Sequence, residues 1–285
     1  LEETILRSLI INADDFGLTT GVNEAIVDTF GVGCVTSTTL LVNAPATEDA
    51  VEKAKQHPGL GVGLHFNITL GRPISPADNV QTLVNAKGFF YPREVLARKL
   101  LLRRVDRSEL ELELDAQYQR MRSYQLRSTH IDSHQHVHAF PLCFDAVATL
   151  CQREGIPMRM PWVLNPNHVQ VPPGRRLRQW VLQRMLSRNY ELWSGLVRWN
   201  SGLGSIFDLG IGQQALDVAH YRSLLECAPE GIFELMVHPA RAAAQLEGLT
   251  RIGDISEREW RFLMSNNLGA LASDLGFTLA NYKSL

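Results

Sequence analysis

Leu9-Ile10-Ile11-Asn12-Ala13-Asp14-Asp15-Phe16-Gly17 is an apolar run that ends in two adjacent carboxylates and a glycine. A short apolar run closed by a turn signal predicts a buried strand, here over Leu9–Asn12. An isolated Asp in such a place is commonly a helix N-cap. Two neighbouring acids repel, however, unless a cation or a shared proton offsets the repulsion. The segment therefore predicts both a strand and a charged site at its end.

The same arrangement recurs along the chain. Leu60-Gly-Val-Gly-Leu-His65 is a glycine-spaced apolar strand ending in an imidazole, and Phe233-Glu-Leu-Met-Val-His238-Pro239 is another. His130-Ile-Asp-Ser-His134-Gln-His-Val-His138 puts four of the nine histidines into one short stretch. Such a cluster with a carboxylate inside it points to a metal, to proton transfer, or to both. A lone histidine is more often a hydrogen-bonded structural residue, so the case rests on several strand ends converging.

Further strands are predicted at Val35–Val42, Leu60–Leu64, Thr129–Ser133, Met158–Met160, Ser205–Leu209 and Ile232–Val237. Helices are predicted at Val22–Phe30, Thr47–Gln56, Arg93–Arg104, Ser108–Tyr124 and Phe140–Arg153, with Asp106 and Glu109 as a capped start and Gly31 and Gly155 as stops. This order is that of successive βα units. Without a linker it predicts one closed or nearly closed barrel over residues 1–285, in which the C-terminal strand ends share one rim. Asp14, Asp15, His65, His134 and His238 would meet there. Strand alternation sets His130, Asp132 and His134 on one side, so that a carboxylate can orient an imidazole.

Residues 161–204 interrupt the rhythm with prolines, Arg175-Arg-Leu-Arg-Gln-Trp180 and four of the five tryptophans. A helix near Arg175–Arg188 is predicted there, either as a lid or oligomer contact or as plain cover for a barrel flank.

With 45% hydrophobic and 20% charged residues and a net charge of −2, the 285-residue chain has core enough to fold and no bulk drive toward nucleic acid. No stretch approaches the roughly 20 apolar residues of a membrane span. The acidic Leu1-Glu-Glu opening is unlike a secretory signal. Cys34, Cys143, Cys151 and Cys227 have no zinc-knuckle or disulfide spacing, which suits reduced thiols in the cytoplasm.

One carboxylate and two neutral imidazoles leave open positions on a bound ion for water and a polarised carbonyl. A second carboxylate can then act as base and His238 as acid, the parts needed to hydrolyse an amide or ester. A metal phosphoesterase and a non-catalytic sugar binder are the competing readings. The first lacks phosphate clamps beyond Arg72 and Arg159, and the second needs neither base nor acid.

Asn12-Ala-Asp-Asp-Phe-Gly-Leu18, Val35-Thr-Ser-Thr-Thr39, Gly63-Leu-His65, the histidine cluster and Met236-Val-His-Pro-Ala240 together resemble the YdjC-like (ChbG-type) carbohydrate deacetylases, which include hopanoid-biosynthesis-associated members. The resemblance implies a distorted TIM-like (β/α) barrel. It implies a divalent metal (magnesium or zinc, with manganese or cobalt as options) on Asp15, His65 and His134, and Asp14 as the base. His238 would be the acid and Arg159 the residue that adjusts Asp14, with Asp132, His130 and His138 behind the ligands. The implied substrate is an N-acetylated amino sugar in an oligosaccharide or glycolipid, and a homodimer is an option. Gln135 departs from the family, where a further histidine is usual, and so does the Trp-rich connection.

Overall fold

Buried on both faces, Arg7–Phe16 forms the longest strand, β1, with no exposed residue from Leu9 to Phe16. Near-continuous apolar runs of this kind belong to parallel sheets covered by helices. The computed structural model describes residues 7–164, 173–206, 216–265 and 267–285. Six more strands follow: β2 (Ser37–Leu40), β3 (Gly61–Phe66), β4 (Ile131–Ser133), β5 (Gly202–Gly204), β6 (Ile232–Val237) and β7 (Phe277–Ala280). Every pairing is parallel, in the order β4-β3-β2-β1-β6-β5. β7 pairs with Arg7–Ile10 of β1, on the edge that β2 takes over from Asn12 onward.

The sheet curls until its ends nearly meet. Met158 bridges Ile131 of β4 on one side and Trp199 on the other, and Val163 bridges Leu203 of β5. The side chain of Asn200 clamps this segment, accepting from Met160 N at 2.7 Å and donating to Met160 O at 3.1 Å. The fold is a single-domain, distorted TIM-like barrel whose seam is an irregular segment instead of a full strand.

Helices cover the outside: α1 (Thr20–Gly31), α2 (Thr47–Gln56), α3 (Arg93–Leu101), α4 (Arg107–Ser123), α5 (Pro141–Glu154), α6 (Pro173–Trp193), α7 (Val218–Glu226), α8 (Gly253–Met264) and α9 (Asn267–Asp274). Asp106 caps α4 by accepting from Ser108 N and Glu109 N at 2.8 and 3.2 Å. Gly155 ends α5 at φ 68°. Within the 161–204 connection, α6 is longer than the predicted helix. Among the described residues no helix is long and apolar enough to cross a membrane.

One predicted strand is corrected. β5 lies at Gly202–Gly204, ahead of the predicted Ser205–Leu209, whose last residues fall outside the described ones. Glycine allows the close approach here: a Cβ at Gly204 would lie 2.7 Å from the Phe233 ring, and one at Gly202 2.9 Å from Leu164. Helices α7 to α9 and strand β7 were not predicted, and Met158–Met160 forms bridges only.

Candidate active site

The two carboxylates share a site because β1 bulges. Its register against β2 runs Asn12 to Ser37 and Ala13 to Thr38, then jumps to Phe16 opposite Leu40. The extra residue breaks the alternation that would send neighbouring side chains to opposite faces. Asp15 takes up the irregularity at φ 68°, a left-handed conformation unusual for any residue but glycine or Asn/Asp. Gly17 follows at φ 99°, where a Cβ would sit 2.9 Å from the carbonyl oxygen of Leu41.

Around Asp15 gathers a set of donors. His65 at the end of β3 places Nε2 3.3 Å from Asp15 Oδ1, and His134, just past β4, places Nδ1 2.9 Å from the same oxygen. All three ligand atoms lie within 4.8 Å of one another and all three residues are buried. Neighbouring ligands of an ion bound at about 2.0–2.2 Å sit about 3 Å apart, so this spacing fits a divalent cation. Asp132 grips the other face of His65, its Oδ1 2.6 Å from Nδ1, and the Thr39 hydroxyl lies 3.0 Å from that nitrogen. This carboxylate–imidazole contact aims Nε2 at Asp15. Burial opposes ionisation of Asp15, but His134 and His65 outweigh it and hold the carboxyl well below its usual range. Burial likewise opposes protonation of His65, yet Asp132, Asp15 and Asp14 raise its pKa from 6.5 to about 10. A cation at Nε2 would replace that proton.

Asp14, His65 and Asp132 form a second close group. There the positive charge is already present. Arg159, buried with no exposed surface, reaches Asp14 through both terminal nitrogens at 2.7 and 2.6 Å and Asp132 at 2.6 Å. It also reaches Glu234 through Nε at 2.8 Å and Nη2 at 2.6 Å. Asn12 Nδ2 donates to Asp14 Oδ1 at 2.9 Å. Burial pushes the Asp14 carboxyl up, but Arg159, with His65 and His238, holds it far below the usual carboxylate range.

The fourth strand end contributes His238, after β6, with Nε2 4.0 Å from Asp14 Oδ2. Its backbone N–H donates to Glu259 of α8 at 2.6 Å, and that carboxylate also accepts from Tyr221 at 2.8 Å. Burial lowers the His238 pKa against the pull of Asp14 and Asp15. A narrow cleft lies beside these groups, lined by Asp14, Asp15 and His238 and by apolar Leu18, Val22 and Leu246.

The structure thus brings together Asp14, Asp15, His65, Asp132, His134, Arg159 and His238. His138 lies deeper: it contacts the Ser133 hydroxyl, and its Nε2 is 3.0 Å from the carbonyl oxygen of Arg159, tying down the segment that carries the guanidinium. His130 faces the barrel interior, stacked on Tyr282 at 3.7 Å between centroids. Sequence reasoning missed Glu234, Glu259 and Tyr282, whose hydroxyl donates to Glu234. Alternation offered a signal for the first, since Glu234 shares a strand face with His238.

Carboxylates and imidazoles at the strand ends of a parallel barrel define a metal-compatible, hydrolase-like centre. The chain belongs to the YdjC-like protein family, whose model matches residues 8–274. A carbohydrate deacetylase of Geobacillus stearothermophilus is 48% identical over 153 residues, covering 54% of this chain and 59% of that one. The chain matches about three fifths of the length of several such curated relatives. A carbohydrate deacetylase of Halalkalibacterium halodurans is 32% identical over 81% of this chain and 84% of its own. Among solved structures, an Enterococcus faecalis protein provisionally named for cellobiose-phosphate cleavage superposes with TM-score 0.80 at 27% identity, covering 98% of both chains.

Proposed function

We propose that the chain is a metal-dependent hydrolase that removes the N-acetyl group of an amino sugar. One observation carries this reading: a three-residue donor set, Asp15, His65 and His134, lies beside a carboxylate, Asp14, that is 4.0 Å from an imidazole, His238. The deacetylase names of the relatives support it.

A divalent ion held by Asp15, His65 and His134 would polarise the acyl carbonyl and acidify a water. The imidazole-rich set favours zinc, with magnesium, manganese and cobalt to be compared by reconstitution. Asp14 stays ionised, so it accepts the proton of the attacking water. Arg159 grips both oxygens and holds the carboxylate in place. His238, neutral after burial lowers its pKa, receives that proton across the gap and delivers it to the departing amine nitrogen. The products are acetate and a free amine. Leu18, Val22 and Leu246 offer the acetyl methyl an apolar wall.

Arg159 is committed to three buried carboxylates and cannot clamp a phosphate. That disfavours the phosphoesterase reading. The sugar belongs to a chitooligosaccharide or a GlcNAc-headed lipid; exposed Leu177, Trp180 and Val181 on α6 suit a lipid tail or a homodimer contact. Four free cysteines support a cytoplasmic location.

The test is acetate release by the metal-reconstituted protein from N-acetylated chitooligosaccharides and a GlcNAc-headed lipid. Asp14→Asn should abolish release and keep the metal, whereas His65→Ala and His134→Ala should lose the metal. Full activity in Asp14→Asn would remove the base, and unchanged metal content in both histidine variants would remove the ligand set.

A further inference from the structure

A second cavity opens at the opposite end of the barrel from the reaction centre. It measures about 660 Å³ and lies among the N-terminal ends of the strands, between the entries to β3 and β4 and the chain after β7. Four cations from four separate segments line it: Lys55 of α2, Arg127 of the turn before β4, Arg198 ahead of β5, and Lys283 beyond β7. Among the described residues no acidic side chain lines it. The described residues give none of the four an ion pair, although Lys53, Arg107, Arg153, Arg159, Arg222, Arg241 and Arg261 all have one. Arg198 donates to the carbonyl oxygen of Gly155, at 2.9 Å, and to a terminal oxygen of Leu285, and Lys283 donates to the carbonyl oxygen of Pro58 at 3.3 Å. These contacts hold the two side chains at the cavity wall.

Like charges held around one cavity repel, and an anion between them relieves that repulsion. Two guanidinium and two ammonium groups match the double charge of a phosphomonoester better than the single charge of a carboxylate. The rest of the wall mixes apolar Leu60, Val62, Ile156 and the Tyr282 ring with polar Gln125, Ser128 and Thr129. Such a wall accommodates a carbon skeleton with hydroxyls and not a bare ion. We propose that this cavity binds a small organic phosphate of sugar-phosphate size, at a site separate from the one that holds Asp14 and His238.

Titration calorimetry on the full chain tests the proposal, with glucose 6-phosphate, inorganic phosphate and glucose as probes, in chelator-treated and metal-loaded protein at physiological salt. Glucose 6-phosphate should bind saturably with or without metal, more tightly than inorganic phosphate, and glucose should not bind. In Lys55→Gln/Arg127→Gln the affinity should fall by about tenfold or more, about 1.4 kcal/mol. Both residues are exposed and unpaired among the described residues, so metal content and acetate release should stay at the wild-type level. Lys283→Gln gives an independent second variant. The proposal is overturned by an absence of saturable binding, by equal affinity for inorganic phosphate, or by binding that needs the metal and ignores these substitutions, which would assign the phosphate to the reaction centre.

Discussion

Replacing Glu259 by Gln should change how stability depends on pH, by an amount the structure sets. Glu259 has no exposed surface, and its carboxylate faces the His238 N–H and the Tyr221 hydroxyl. Burial raises its pKa from 4.5 to about 7; the hydrogen bonds from His238 and Tyr221 pull the other way without cancelling it. The unfolded chain releases this proton near 4.5 and the folded chain near 7. Between those values the native state holds more protons, so stability falls as pH rises through the window. The displacement is worth about 3 kcal/mol at most. Gln keeps an acceptor for His238, Tyr221 can turn its hydroxyl to accept from the amide, and nothing there titrates. Urea denaturation of both proteins under one metal condition, at steps from about pH 4 to about pH 8, gives a stability difference at each pH. That difference should grow in favour of Gln by about 2–3 kcal/mol across the window. Asp14 and Asp15, whose pKa values lie below 3.8 when folded, act only at lower pH, and His65 contributes equally to both proteins. A difference that stays constant with pH would refute a neutral, buried Glu259.

Gly63→Ala should destabilise the protein by about 1–3 kcal/mol, because its Cβ would lie 2.5 Å from the His130 ring and 2.8 Å from the His130 carbonyl oxygen; an unchanged denaturation midpoint would contradict that packing. Arg159→Met should cost about 3–5 kcal/mol by leaving Asp14, Asp132 and Glu234 buried without their cation, which the same assay reads. Metal affinity should fall about tenfold per pH unit on acidification, because the ion displaces the His65 proton; calorimetry in buffers of different ionisation enthalpy should count one proton released per ion.

Much of the candidate site was legible because parallel strands deliver their last residues to one rim. Asp14, Asp15, His65, His134 and His238 each follow an apolar run, and a rule about strand ends finds them without coordinates. Three features escaped that rule. The bulge in β1 leaves no mark in composition, since nothing in Ala13-Asp14-Asp15 says that Asp15 takes a positive φ. β5 lies ahead of the predicted Ser205–Leu209 because its two glycines carry no apolar signal, their value lying in close packing. Glu259 sits on a helix far along the chain, and only the fold brings it under His238.

The bulge and the guanidinium together explain how two adjacent acids persist at one strand end. Regular alternation would bury Asp14 in the barrel and turn Asp15 toward the helices, away from His65 and His134. With the bulge, the two carboxylates share the cleft but not their partners. Asp14 is neutralised from below by Arg159, itself held by Glu234 and by the His138 contact to its backbone. Among the described residues, Asp15 pairs with imidazoles alone. Asp14, Asp132 and Glu234 share one guanidinium, and Asp15 beside them has imidazoles alone, so the group is short of positive charge. Uncompensated charge in so dry a place is expensive. A divalent cation at Asp15 would supply what is missing at that carboxylate, which Arg159 does not reach, and metal binding and fold stability should then rise together.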